Sequence, residues 1–215
     1  MQIVVLAKRP APGRVKTRLT PPFTPDQAAA LAAASLTDTL DAVGAAPVAA
    51  RALAFDEDPD GWLRPGYDLV EQVAGGLGDR LAGAVRDAYA LCGLPLLLVG
   101  MDTPQLTPRL LAAAARRLLV TGVDAVLGPA TDGGYWAIGF RTPRDHAFAG
   151  VPMSTPATYR AQRRRLWTLG LRVDELHPLT DVDDVATARG VAASSPHTRF
   201  ARLLADLDPA EEGAA

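Results

Sequence analysis

Four short stretches carry residues whose types and spacing suit chemistry on a charged small molecule. The first, Lys8-Arg-Pro-Ala-Pro-Gly-Arg-Val-Lys-Thr-Arg18, places five cations (Lys8, Arg9, Arg14, Lys16 and Arg18) in eleven residues, with Gly13 among them and no acid. Cations at that density on a Pro/Gly loop that leads into a helix N-terminus suit a polyphosphate, against the competing reading of a solvated surface loop. The second, Val99-Gly-Met-Asp-Thr-Pro104, sets one carboxylate, Asp102, just past an apolar run, where it can meet a hard cation such as Mg²⁺ or a ribose hydroxyl, or merely cap the turn at Pro104. In the third, Thr131-Asp-Gly-Gly-Tyr-Trp136, Asp132 can accept hydrogen bonds from a ligand, and Gly133 and Gly134 permit close backbone approach; an Asp-Gly hairpin explains the same residues. The fourth is Asp181-Val-Asp183. If extended, its two acids point the same way, so one can join Asp102 at a metal, or Asp183 can cap the next helix.

Better-known phosphate motifs fail here. Val15 precedes Lys16-Thr17 where a Walker A loop needs glycine, and Gly75-Gly-Leu-Gly78 lacks the dinucleotide spacing. His146, His177 and His197 share no ligand spacing, and no Ser/His/Asp or Cys/His order is defensible. Arg160, Arg163, Arg164 and Arg165 read as a solvated helix face rather than an acceptor-phosphate site, and Trp62, Trp136 and Trp167 as packing residues.

The elements that must position these residues alternate. Gln2 to Ala7 is an apolar, β-branched run expected as a strand buried on both faces, so the basic loop leaves a strand end. Thr24, Pro25 and Gln27 have capping-box spacing and open a helix expected to stop at Gly44 as a C′ residue. Strands are expected over Val48 to Phe55, Tyr67 to Val73, Leu94 to Gly100, Val123 to Gly128, Tyr135 to Phe140 and Leu171 to Leu176. Helices are expected over Asp79 to Leu91, from Thr107 and Pro108 to Leu119, and from Ser154 or Thr155 with Pro156 to before Gly170. Such alternation implies a mostly parallel sheet covered on both faces, with ligands beyond the carboxyl ends of its strands.

Composition sets the outer bounds. The 215 residues, 48% hydrophobic and 21% charged, fit one globular unit over 1–207 followed by a frayed acidic tail over 208–215. A single cysteine, Cys92, disfavours a disulfide scaffold and fits a cytoplasmic protein. Met1 to Ala7 is too short for a signal sequence, and no apolar run is long enough for a membrane span. Net charge is −2, which argues against nucleic acid as a partner, yet residues 1–25 carry +5 and the remaining 190 carry −7.

Together these residues resemble the DUF2064 family, GT-A-like transferases also described as radical-SAM/selenodomain-associated transferase 1. The resemblance rests on Leu6-Ala-Lys-Arg-Pro-Ala-Pro-Gly-Arg-Val-Lys-Thr-Arg-Leu19, Gln72 with Gly75, Leu77-Gly78, Arg80-Leu81, Gly100-Met-Asp-Thr-Pro104, Asp132-Gly-Gly-Tyr-Trp136, Ser154-Thr155 and Asp181-Val-Asp183, spanning about residues 2 to 188. It implies a three-layer α/β/α sandwich with a mostly parallel, Rossmann-like mixed sheet, the nucleotide-diphospho-sugar transferase fold, related to molybdenum-cofactor and phospholactate nucleotidyltransferases. Two departures stand out: Pro104 sits where metal-dependent glycosyltransferases have the second acid of Asp-x-Asp, and a Lys/Pro loop around Gly13 replaces the usual nucleotidyltransferase glycine-rich loop.

The leading expectation is nucleotidyl transfer, in which a phosphorylated small molecule attacks the α-phosphorus of a nucleoside triphosphate and releases pyrophosphate. Nucleotide is expected against Leu6, Ala7, Lys8, Gly13, Lys16, Arg18, Gln72, Gly75, Arg80 and Asp102. Acceptor is expected against Asp132, Gly133, Gly134, Tyr135, Ser154 and Thr155, and Mg²⁺ (or Mn²⁺) on Asp102 and Asp183. Lys8, Lys16, Arg18, Asp102 and Asp132 would carry the chemistry. The alternatives are glycosyl transfer from an NDP-sugar and a nucleotide-binding module without turnover; a homodimer is an open option.

Overall fold

The structure is a computed structural model describing residues 1–207; the expected acidic tail lies outside the described residues. The elements run β1 (Gln2–Ala7), α1 (Pro25–Gly44), β2 (Ala50–Phe55), β3 (Asp68–Glu71), α2 (Leu77–Cys92), β4 (Leu96–Gly100), α3 (Pro108–Leu119), β5 (Ala125–Pro129), β6 (Tyr135–Phe140), α4 (Thr158–Thr168), β7 (Val173–Glu175), α5 (Val185–Ser194) and α6 (Arg199–Leu207). Among the described residues, seven strands form one sheet in the order β3-β2-β1-β4-β6-β5-β7. Only β6 runs antiparallel to its neighbours.

The alternation of β1 explains the layers. Ile3 and Val5 enter one core with Leu36 and Leu40 of α1 and Leu111 and Leu118 of α3. Val4 enters the opposite core with Leu81 and Val85 of α2 and Leu166 of α4. The result is the expected three-layer α/β/α sandwich. A third cluster joins α1 to α5 and α6 through Leu31, Val191 and Phe200. None of the described helices is long and apolar enough to cross a membrane.

Several boundaries differ from the sequence reading. Both halves of the Thr24/Gln27 capping box form, at 3.2 and 2.8 Å. Gly44, however, is the last helical residue rather than a left-handed stop, and Ala45 follows in right-handed conformation. Carbonyls at this helix end are satisfied from elsewhere: Tyr67 Oη donates to Leu40 at 2.5 Å, and Arg51 donates to Val43 and Ala46 at 3.0 and 2.7 Å. The second helix starts at Leu77, not Asp79, because the Asp79 carboxylate accepts the Gly76 amide at 3.0 Å and so serves the first turn from within it. Helix α4 starts at Thr158, since Ser154 takes a left-handed backbone and Thr155 bonds forward to Thr158. Helix α6 is capped twice: Thr198 Oγ1 accepts the Ala201 amide at 3.1 Å, and Asp38 of α1, 162 residues away, accepts the Phe200 amide at 2.9 Å.

Strand β6 runs between β4 and β5, and Gly139 lies opposite Val126 and Leu97. A Cβ at Gly139 would stand 2.7 Å from Val126 Cγ2 and 3.0 Å from the Leu96 carbonyl. Gly139→Ala is therefore expected to destabilise the protein by about 1–3 kcal/mol, read as a lower urea midpoint with unchanged slope. An unchanged midpoint would show that the sheet yields there.

Candidate functional site

The chain leaves β1 toward β2 and β3 on one side, then returns to place β4 on the other. That reversal opens a crevice beyond the carboxyl ends of β1 and β4, the position at which doubly wound sheets bind ligands. A cleft of about 770 Å³ lies there. It adjoins a lobe of about 180 Å³ bounded by Lys8, Lys16, Thr17, Arg18, Asp102 and Asp183. At about 30 Å³ per water the lobe holds roughly six waters, enough for a phosphate group or two.

One extended segment supplies two of its acids. Leu179 donates to the Pro129 carbonyl at 3.1 Å, Gln105 donates to Thr180 at 2.6 Å, and the Val182 amide donates to the Asp102 carbonyl at 2.9 Å. With Val182 fully buried, alternation turns both Asp181 and Asp183 toward the cleft. The capping role considered for Asp183 belongs to Asp184, whose carboxylate accepts the Thr187 amide at 2.8 Å. Asp183 keeps its carboxylate for the cleft, with Arg18 Nη1 at 3.8 Å.

Lys16 answers this acidic cluster. Its side chain is 7% exposed, its ammonium lies 2.5 Å from Asp102 Oδ1, and it also donates to the Val182 carbonyl. Its backbone is left-handed and opens the short 3₁₀ turn Thr17–Leu19. Asp181 has no such partner: its Oδ1 is shielded from solvent and accepts no hydrogen bond. Burial first, then the charges of Asp102, Asp132 and Asp183, opposed by Lys16, push its carboxyl up to about 7. Burial likewise raises Asp183, against Lys16 and Arg18.

The five-cation loop divides. Arg9 Nε lies 3.4 Å from Glu57 and its guanidinium donates to the Asp58 carbonyl; Arg14 pairs with Glu57 at 2.5 Å. Both are thus taken up by the acidic loop after β2. Lys8, Lys16 and Arg18 border the lobe.

Leu6, Ala7, Gln72, Gly75 and Arg80 line the cleft as well. Gln72 Nε2 donates to the Ala7 and Ala54 carbonyls at 2.7 and 2.9 Å, tying the ends of β1 and β2. Arg80 bonds the Gly75 carbonyl at 3.3 Å and Gln72 Oε1 at 3.5 Å, with Asp56 3.9 Å away. Asp132, Gly134, Tyr135, Ser154 and Thr155 line the other side. The hairpin and the cleft readings of Asp132 both hold, since its Oδ1 accepts the Gly134 amide at 2.8 Å while the residue borders the cleft.

Gly13 and Gly133 are not brought to the cleft wall. Gly133 has φ of +90°, and a Cβ there would lie 2.2 Å from the Pro156 carbonyl oxygen. Its role is to let the β5–β6 hairpin dock on the chain before α4, where the Tyr159 amide donates to its carbonyl at 2.8 Å.

The sequence leaves open which acid of Asp181-Val-Asp183 faces the cleft, and the structure brings both there; Leu77, Met153 and Thr158 carry no local signal because tertiary packing brings them to the cleft.

Among the described residues no group of three or more His, Cys, Asp or Glu side chains is arranged to hold a metal ion. Asp102 and Asp183 nonetheless offer two hard oxygen donors beside a phosphate-sized lobe. Mg²⁺ usually takes one or two carboxylates and completes its shell with water and substrate phosphates, so the pair fits such an ion.

The model of the family described as "Uncharacterized protein conserved in bacteria (DUF2064)" matches residues 33–155. No curated protein matches the chain. Among solved structures, a Desulfovibrio desulfuricans protein provisionally assigned as a nucleotide-diphospho-sugar transferase is 26% identical, with a TM-score of 0.86 over 95% of this chain and 94% of that one. 4-Diphosphocytidyl-2C-methyl-D-erythritol synthase from Anaerococcus prevotii is 10% identical, with a TM-score of 0.57 over 90% and 96%. 2-C-Methyl-D-erythritol 4-phosphate cytidylyltransferase from Thermus thermophilus is 18% identical, with a TM-score of 0.50 over 91% and 100%. The last two likenesses are of fold alone.

The raised Asp181 pKa links stability to pH in the metal-free protein. Folding favours the neutral carboxyl, so its contribution is full below about pH 4 and is lost as pH rises through about 7. Asp181→Asn removes that loss. The variant is expected to gain on the parent between pH 4 and 8 by an amount on the order of a few kcal/mol, measured by urea unfolding in chelator. A parent–variant difference that stays flat across this range would contradict the assignment.

Proposed function

The chain belongs to the DUF2064 family, and its reaction is argued from the cleft; we propose a Mg²⁺-dependent nucleotidyltransferase. The observation that carries this reading is the convergence of Lys8, Lys16 and Arg18 with Asp102 and Asp183 on one phosphate-sized lobe at the switch point. A nucleoside triphosphate lies with its phosphates in that lobe and its base or ribose toward Gln72, Gly75 and Arg80. Lys16 spends two of its three N–H donors on Asp102 and Val182, which leaves a third for a phosphate oxygen. Arg18, 76% exposed and loosely paired, turns to the phosphates at little cost. Asp102 and Asp183 would hold Mg²⁺, which would supply charge neutralisation of the phosphates.

The chain's own work is alignment and charge. Lys8, Lys16 and Arg18 hold the triphosphate in line and stabilise the charge that develops on the departing pyrophosphate. The hairpin carrying Asp132 presents the acceptor oxygen to the α-phosphorus from the opposite side. A second reading, transfer of a sugar from an NDP-sugar, is favoured by the likeness to the Desulfovibrio desulfuricans protein. It places a leaving diphosphate in the same lobe. Pyrophosphate released from nucleoside triphosphates, against nucleoside diphosphate released from NDP-sugars, separates the two.

Replacing a charge-assisted phosphate contact costs about 1.5–3 kcal/mol, or roughly ten- to a hundredfold in affinity. Lys16→Met is therefore expected to weaken nucleoside triphosphate binding in Mg²⁺ by that factor in isothermal titration. Arg9→Ala, whose guanidinium faces Glu57 and Asp58, is expected to change it less than about threefold. Equal losses in the two variants would overturn the placement of the phosphates.

A further inference from the structure

The cleft has a charge gradient. Its cations, Lys8, Lys16, Arg18 and Arg80, come from the loop after β1 or from α2. The one nearest the far wall in sequence, Arg80, is held back toward β3 by Gln72, the Gly75 carbonyl and Asp56. The far wall itself is apolar: Leu81, Leu98, Tyr135 and Met153, with half-exposed Leu77 at its rim. Met153 Sδ lies 3.9 Å from the Tyr135 hydroxyl, and its methyl lies within 3.5 Å of where a Cβ on Gly78 would stand, so α2, β6 and the chain before α4 form one continuous surface. Also bordering the cleft are Asp132 and Asp181, close enough to Asp102 and Asp183 for their charges to act on one another.

A phosphorylated acceptor is poorly served by this arrangement. Its phosphate would approach the α-phosphorus past Asp132, with the four cations committed to the donor or to Asp56, and like charges set against each other cost several kcal/mol. Resting on the transferase reading above, we infer that the acceptor is an uncharged alcohol whose apolar body packs on Met153, Tyr135 and Leu81. In the step, the alcohol oxygen forms the new bond to the α-phosphorus and its proton passes to the Asp132 carboxylate. The bond from that phosphorus to the bridging oxygen breaks, with its electron pair leaving on pyrophosphate. Nucleotidyl ester, pyrophosphate and the proton on Asp132 account for all atoms. Hydroxyls of Ser154 and Thr155 supply polar contacts that a neutral acceptor can satisfy.

The three methionines make the test direct. Met101 reports the donor end, where its sulfur accepts the Lys8 amide at 3.4 Å, and Met153 reports the apolar wall. Full-length protein carrying ¹³C-methyl methionine is titrated with pyrophosphate plus Mg²⁺, then with n-hexyl β-D-glucoside, then with glucose 6-phosphate. Pyrophosphate is expected to shift the Met101 methyl, hexyl glucoside the Met153 methyl, and glucose 6-phosphate to bind at Met153 at least about tenfold more weakly than hexyl glucoside. Met153→Lys is expected to reverse that order in isothermal titration, its Met101 response to pyrophosphate reporting an intact donor end. No Met101 response in the parent protein overturns the transferase reading and this inference with it. A normal Met101 response with glucose 6-phosphate preferred at Met153 overturns the acceptor assignment alone.

Discussion

The hydrogen bond from the Val182 amide to the Asp102 carbonyl organises the rest of the cleft. It lays a segment from the last third of the chain across the end of β4, and alternation along that segment does the rest: Val182 goes into the core under α1 and α5, while Asp181 and Asp183 turn outward beside Asp102. Three carboxylates in one place repel one another, and burial adds to the penalty on their charged forms. The chain offsets this with Lys16, anchored on both residues that make the tie, and more loosely with Arg18 beside Asp183. Lys16 does so from a left-handed backbone. Fold closure and site electrostatics are therefore one problem with one solution.

That solution also redefines the basic loop. A net charge of −2 and a local +5 suggest a uniform polyanion cradle. The structure gives four of the five cations acidic partners, in two separate groups. Arg9 and Arg14 hold the loop against the acids after β2, which fixes its base; Lys16 enters the carboxylate cluster; Lys8 and Arg18 retain capacity for a ligand. A loop with all five charges free would be mobile and mutually repelled. Two ion pairs at its root give it a defined approach to the lobe.

How much of this was legible depended on whether the determining contact was local. The strand before the basic loop, the capping box at Thr24 and the helix opening at Thr107 are written in neighbouring residues, and the structure has them. So is the convergence of the basic loop, Asp102, Asp132 and Asp183, because the loops at strand ends of such a sheet have one place to meet. The misplaced features are long-range. Arg51 and Tyr67 replace a glycine stop at the end of α1, Asp38 caps α6 from another helix, and Asp184 rather than Asp183 takes the N-cap because Val182 is fixed by β4. Leu40 with Tyr67, Asp38 with Phe200 and Asp102 with Val182 are each far apart in the chain, so no window of local sequence contains both partners.

The reversed strand explains why the two sides of the cleft differ. Parallel strands present their carboxyl ends to the crevice, and from β1 and β4 the chain continues into polar loops carrying Lys8 and Asp102. Strand β6 runs the other way, so its first residue, Tyr135, borders the crevice and its last, Phe140, is buried in the opposite direction. The loop that enters β6 must then double back tightly from β5, which selects the Asp132-Gly133-Gly134 hairpin, and the side chains it leads into are those of a buried strand. Strand β6 thus contributes Tyr135 to an apolar wall that α2, β4 and the chain before α4 complete with Leu81, Leu98 and Met153.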